Sequence, residues 1–126
     1  MFDSKRLLFV DDEDSIRATL PLILQGYGFD VRSAANVPEA LDKIRNYNFD
    51  VLLSDLNIDE PQDGYVVVRA MRQANPSCVA IILTANPDLL SAIKGIRNDI
   101  DEYFIKPIDI NSLVAAVTAK LARRAA

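Results

Sequence analysis

The chain has 126 residues, half of them hydrophobic, with a formal net charge of −4 and a pI near 4.7. That length holds one core and is too short for two, and an acidic balance without clustered Lys and Arg excludes a nucleic-acid surface built on phosphate neutralisation. Histidine is absent and Cys78 is the single cysteine, which also excludes disulfides, Cys/His zinc sites and His-based triads.

Chemistry must therefore come from Asp, Thr and Lys, with or without a hard metal. The N-terminal segment offers only Leu7, Leu8, Phe9 and Val10 as an apolar run before Asp11, too little for a signal-peptide core. No run is long enough to span a bilayer. A cytoplasmic protein that does not engage a membrane is expected.

Short apolar runs alternate with longer amphipathic ones. Leu7–Val10 predicts a first strand, after which Ile16, Leu20, Ile23, Leu24 and Tyr27 recur at helical spacing up to a Gly26/Gly28 stop. Pro21 falls inside that helix and is expected to kink it or weaken one turn. Phe29–Ser33 predicts a second strand, and the segment from Val37 to Asn46 a helix with Pro38 near its first position. In the stretch Phe49–Asn57, Val51, Leu52 and Leu53 show no polar alternation, the pattern of a parallel strand buried on both faces, and Asp55 stands just past its end.

A loop with Pro61, Gln62, Asp63 and Gly64 leads to a third helix carrying Val67 and Met71, which stops before Pro76. Cys78–Leu83 predicts a fourth strand. Asn86, Pro87 and Asp88 then read as a cap, a first-position proline and an N-terminal acid for a helix running to about Asn98. Glu102–Ile105 predicts a fifth strand. The last helix opens at Asp109, with Ile110, Leu113, Val114, Val117 and Leu121 on one face and Arg123 and Arg124 at its dipole-favoured end. Regular βα alternation with short connections predicts an α/β, doubly wound (βα)5 sandwich of three layers around a five-stranded parallel sheet.

In such sheets reactive groups collect beyond the carboxyl ends of the strands. Asp11 and Asp12 follow the first strand, Asp55 the third, Thr84 the fourth and Lys106 the fifth. Singly, each has an ordinary reading as a helix cap or a surface charge. Jointly they place three acids, a hydroxyl and an ammonium at one sheet edge. Crowded carboxylates repel, and a hard cation that takes oxygen ligands and keeps several waters relieves them, so Mg²⁺ fits this set best.

Asp11-Asp12, Asp55, Thr84-Ala85 and Lys106-Pro107, with Tyr103 three residues before the lysine, resemble the receiver domain of bacterial two-component response regulators. The resemblance covers residues 1–126, with its core from Arg6 to about Arg123, and implies a flavodoxin-like strand order 2-1-3-4-5. It implies Asp55 as phosphoacceptor, taking its phosphoryl group from a sensor histidine kinase or histidine phosphotransfer protein. Asp12, Asp55 and the Asn57 backbone carbonyl would bind Mg²⁺, with Asp11 acting mainly through water. Lys106 would pair with Asp55 and then with a phosphate oxygen, Thr84 would donate to another, and small Ala85 would leave room. Tyr103 would follow Thr84 in a conformational switch, although a core aromatic on the last strand is the plain alternative.

The Asn57 and Asn86 side chains would face the attacking water, Asn86 being also a candidate cap for the helix after Pro87. Beyond its own phosphorylation and dephosphorylation no enzyme activity is expected. Implied partners are an output domain or protein and a second copy bound through the fourth helix, fifth strand and fifth helix.

Two features depart from the family pattern. The segment Asn57–Gly64 has its proline displaced and one residue more than is usual, and Asn98-Asp99 stands where a small-residue or Gly helix stop is common. Other classes fit less well. An aspartate-nucleophile phosphatase wants a second Asp where Asn57 stands, and an FMN module wants a hydroxyl- and glycine-rich cradle where Asp11-Asp12-Glu13-Asp14 would repel phosphate. A receiver-like scaffold that signals without phosphorylation has no need of the intact acids, Thr84 and Lys106.

Overall fold

The computed structural model describes residues 4–86 and 99–125. The strands are β1 (Arg6–Val10), β2 (Asp30–Ala34), β3 (Val51–Asp55), β4 (Val79–Thr84) and β5 (Glu102–Ile105). The helices are α1 (Asp14–Gly26), α2 (Val37–Asn46), α3 (Asp63–Ala74) and α4 (Ile110–Ala125). The strands form one parallel sheet in the order β2-β1-β3-β4-β5, as the resemblance implied. The helix expected to run to about Asn98, its capping by Asn86 and the face it would give a dimer lie outside the described residues. Among those described, no helix is long and apolar enough to cross a membrane.

Four strands differ from expectation by one residue: β1 begins at Arg6, which pairs with Asp30, and the other three shift for a hydrogen-bonding reason. The Phe29 N–H is taken by the Leu24 carbonyl at 3.3 Å in the stop of α1, so pairing of β2 begins at Asp30, opposite Arg6. The Cys78 N–H is likewise used in a turn, to the Asn75 carbonyl at 3.1 Å, and β4 starts at Val79. Asp55 is the last residue of β3, not the residue beyond it, because it still pairs with Leu83.

Successive strand residues point to opposite faces, and this divides the core in two. Leu8, Val10, Leu52, Ala80 and Ile82 pack with Val67, Val68 and Met71 of α3 and Ala40 and Ile44 of α2. Leu7, Phe9, Leu53, Ile81 and Leu83 pack with Leu20 and Leu24 of α1 and Leu113 and Val117 of α4. Helix α1 runs unbroken through Pro21, which lies buried beside Leu20 and Leu24. Ile23 and Tyr27, expected inward, are 45% and 49% exposed, because the buried stripe is centred on Pro21 and the Tyr27 hydroxyl donates to Asn111 Oδ1 on α4 at 2.9 Å. Gly28, at φ 99°, makes the left-handed stop that the sequence anticipates.

The amino end of the sheet carries a charge cluster that the sequence did not announce. Asp101 Oδ2 accepts from Arg72 Nη2 of α3 at 2.7 Å and from the Ala80 N–H at 2.8 Å, and Asp101 Oδ1 accepts from Arg124 Nη2 of α4. Arg72 also donates to the Asp99, Pro76 and Cys78 carbonyls. Burial alone would raise the Asp101 pKa, but the Ala80 N–H and the two guanidinium groups outweigh it and hold the carboxyl below its ordinary value. Nearby, burial pushes the Cys78 thiol up.

Asp101→Ala is expected to cost about 3 kcal/mol at neutral pH, since it strands two guanidinium groups and a buried N–H. The folded pKa is depressed, so this stabilisation is full above the unfolded-state carboxylate pKa and is lost as pH falls through the folded one. Denaturant titrations should give a constant gap between wild type and variant above about pH 5 that closes in acid.

Candidate functional site

The expected residues meet at the carboxyl edge of the sheet. Asp11, Asp12 and Asp55 each place a carboxylate oxygen within 4.8 Å of the other two. Asp11 is fully buried; its N–H continues the ladder to the Ala34 carbonyl at 3.1 Å. Its Oδ1 accepts from the Glu13 N–H at 2.9 Å and its Oδ2 from Lys106 Nζ at 2.8 Å. Lys106 Nζ lies 3.5 Å from Asp55 Oδ2, so the expected pairing with Asp55 exists, but the tighter partner is Asp11. Burial would lower the Lys106 pKa; the hydrogen bond from its ammonium to Asp11 and the charges of Asp55 and Asp11 outweigh it and hold the pKa above its ordinary value.

Asp55 is pushed up to about 6, first by burial and then by Asp11 and Asp12, against the lowering charge of Lys106. One ammonium among three carboxylates leaves the pocket short of positive charge, which suits it to a hard cation bound through oxygen. Thr84, at the end of β4, is 1% exposed, and its Oγ1 accepts the Asn86 N–H at 3.1 Å. Such a bond leaves the hydroxyl proton unused. Lys106 is placed by the bond of its N–H to the Thr84 carbonyl at 2.8 Å, and its peptide to Pro107 is cis. Ala85 is exposed beside Thr84, and the Tyr103 ring is buried in the core on the α2/α3 side.

The β3–α3 connection folds back over the site. Gly64 N–H donates to the Leu56 carbonyl at 2.8 Å, and a Cβ on Gly64 would lie 2.5 Å from the Asp55 carbonyl oxygen. Only glycine permits that approach. Ile58, 5% exposed, anchors the loop in the core. The Asn57 side chain does not point freely to solvent, since its Oδ1 accepts the Gln62 N–H at 2.8 Å.

Over residues 7–118 the chain matches the response regulator receiver domain. It belongs to that family. It is 31% identical over 120 residues to the transcriptional regulatory protein ZraR of Escherichia coli (strain K12), covering 95% of this chain and 27% of that protein. It is 34% identical over 119 residues to the DNA-binding response regulator MtrA of Mycobacterium tuberculosis, covering 94% of this chain and 51% of that protein. The receiver thus spans about a quarter to a half of the length of these curated relatives.

Among solved structures, a CheY-like receiver domain protein from Methanospirillum hungatei superposes with a TM-score of 0.85 at 26% identity, over 97% of each chain. The response regulator TrrA from Thermotoga maritima, in complex with Mg²⁺ and BeF, gives 0.78 at 30% identity, over 92% of this chain and 98% of that one. Kinship with phosphorelay receivers agrees with the strand order and with the acidic pocket.

Three contributors to this receiver's site escaped the sequence. Arg17 donates to the Asp11 carbonyl at 2.8 Å and pairs with Asp14, bracing the acidic β1–α1 turn; its i,i+3 spacing from Asp14 was the legible signal. The Gly64 contact and the Asn57–Gln62 bond carried no such signal, being tertiary closures of a loop.

Two outcomes are expected. Lys106→Met should raise the Asp55 pKa above about 6, because it removes the group that lowers it, and an NMR carboxyl titration reads this directly. Gly64→Ala should destabilise the domain by more than about 1 kcal/mol by forcing backbone apart at Asp55, measurable by chemical denaturation.

Proposed function

We propose that Asp55 is the phosphoacceptor of a phosphorelay and that residues 1–126 act as one receiver unit. The observation that carries this reading is the convergence of the Asp11, Asp12 and Asp55 carboxylates with Lys106 Nζ in reach of two of them. An Asp55 carboxylate oxygen would attack the phosphorus of a phosphohistidine on a kinase or phosphotransfer protein. The new P–O bond replaces the P–N bond, and the imidazole leaves. Such a transfer asks mainly for positioning and charge neutralisation, and phosphorylation of its own aspartate, with the later hydrolysis, is the only reaction proposed.

The donor set fits Mg²⁺. Asp12, exposed, and Asp55, half-buried, have carboxylates available, and the Asn57 carbonyl would complete the direct ligands. Both Asp11 oxygens are engaged by Glu13 and Lys106, which favours an indirect role through water. When bound, the ion neutralises phosphoryl oxygens that would otherwise meet only carboxylates. Lys106 would turn from Asp11 to a phosphoryl oxygen, Thr84 would spend its unused hydroxyl proton on another, and Ala85 would leave space for the group. Movement of Thr84 toward the phosphoryl group would release room behind it for Tyr103, biasing a two-state equilibrium read by an output domain or protein.

An apolar groove lined by Ile16, Leu20, Ile23, Pro107 and Ile108 includes Lys106 in its wall and so adjoins the site; we assign it to the phosphohistidine donor, in the cytoplasm. The exposed Ile105 on edge strand β5 would lie in a face shared with a second copy.

Incubation with a small phosphodonor is expected to add the mass of one phosphoryl group in Mg²⁺ and none in excess chelator or in Asp55→Asn. A full adduct in Asp55→Asn would move the acceptor elsewhere, and the absence of any adduct on wild type, with its own kinase as donor, would favour the unphosphorylated scaffold.

A further inference from the structure

We infer that the Asn57 side chain is a positioning residue: it clamps the β3–α3 loop through the Gln62 peptide and thereby sets the direction of its own backbone carbonyl. This rests on the reading of Asp55 and its metal given above only for the second half of the claim.

The loop leaves β3 at Leu56 and must return at once, because the Gly64 N–H binds the Leu56 carbonyl. Between those anchors the segment Asn57–Asp63 must be given a conformation. Local bonds supply it. Asp63 Oδ2 accepts the Glu60 N–H at 2.9 Å, the Asp63 N–H donates to the Glu60 carbonyl at 3.3 Å, and the Tyr65 N–H to the Gln62 carbonyl at 3.1 Å. Gln62 sits in the left-handed region at φ 66°, ψ 15°, where a residue with a Cβ is disfavoured.

The bond that holds Gln62 there is the one its N–H makes to Asn57 Oδ1 at 2.8 Å. It spans five residues and closes a ring whose first member is Asn57 itself. The amide plane of Asn57 is therefore oriented by the loop, with its acceptor end turned to Gln62. Its oxygen already accepts one bond in the resting protein, and its nitrogen end can only donate. With the side chain anchored at one end and Ile58 buried on the other, the intervening Asn57 peptide has little rotational freedom. The carbonyl that a metal would use is thus preset by a side-chain bond.

Amide hydrogen exchange, followed by NMR on metal-free protein without phosphodonor, tests the clamp. Asn57→Ala is expected to speed exchange at Gln62 and Gly64 at least tenfold while strand amides of β1 and β3 keep their protection. Asn57→Asp, which keeps an acceptor oxygen at the same reach, should restore protection. Calorimetric titration with Mg²⁺ should show Asn57→Ala binding several-fold more weakly than wild type. Unchanged exchange at Gln62 in Asn57→Ala overturns the clamp, and faster exchange with unaltered Mg²⁺ affinity overturns its positioning role. If wild type bound no Mg²⁺ while the exchange pattern held, the clamp would stand and the metal reading would fall.

Discussion

A single ammonium bridges two of three carboxylates that would otherwise drive one another apart. Lys106 comes from the end of β5, and two strands, β4 and β3, lie between it and β1 in the sheet. Its Nζ nevertheless reaches the fully buried Asp11 and stands near Asp55. A carboxylate buried without a partner is costly, so the site has its resting form only when β1, β3 and β5 are all in register. The core on both faces of the sheet exists to hold that register, and the Lys106 N–H to Thr84 carbonyl bond aligns the last strand with it.

The two ends of the sheet are built on opposite electrostatic plans. At the amino end, Asp101 meets two guanidinium groups and a backbone N–H that outweigh its burial, so its pKa lies below its ordinary value. At the carboxyl end Asp55 is under-compensated and is driven the other way, to about 6. Charges are satisfied at one end and left unsatisfied at the other, a division expected of a protein with a site that must respond to a ligand. Arg72 and Arg124 tie α3 and α4 to the amino ends of β4 and β5.

The loop after β3 takes its shape from its own side-chain bonds. An added residue in a surface loop costs little in closure entropy, but it must be given a conformation. Here that is done by a left-handed Gln62, by Asp63 turned back on Glu60, and by Asn57 turned forward to Gln62. Gly64 then passes so close to the Asp55 carbonyl that no side chain fits between them. The position of the loop and the position of Asp55 are therefore one constraint.

The βα alternation, the two-faced burial of β3 and the collection of Asp11, Asp12, Asp55, Thr84 and Lys106 at one edge were determined by the sequence alone, because strand periodicity and parallel connections leave few ways to arrange them. Tertiary structure decided what depends on the competition among nearby partners. Lys106 prefers Asp11 over Asp55 because Asp11 is the more deeply buried acid. Asp55 falls inside β3 because Leu83 pairs with it, and Ile23 and Tyr27 face outward because Pro21 takes the buried stripe. Asp101 looked like any surface acid until α3 and α4 brought Arg72 and Arg124 to it from 29 and 23 residues away in the chain. Contacts of that kind have no local signature, since their energy comes from groups that only the folded sheet makes neighbours.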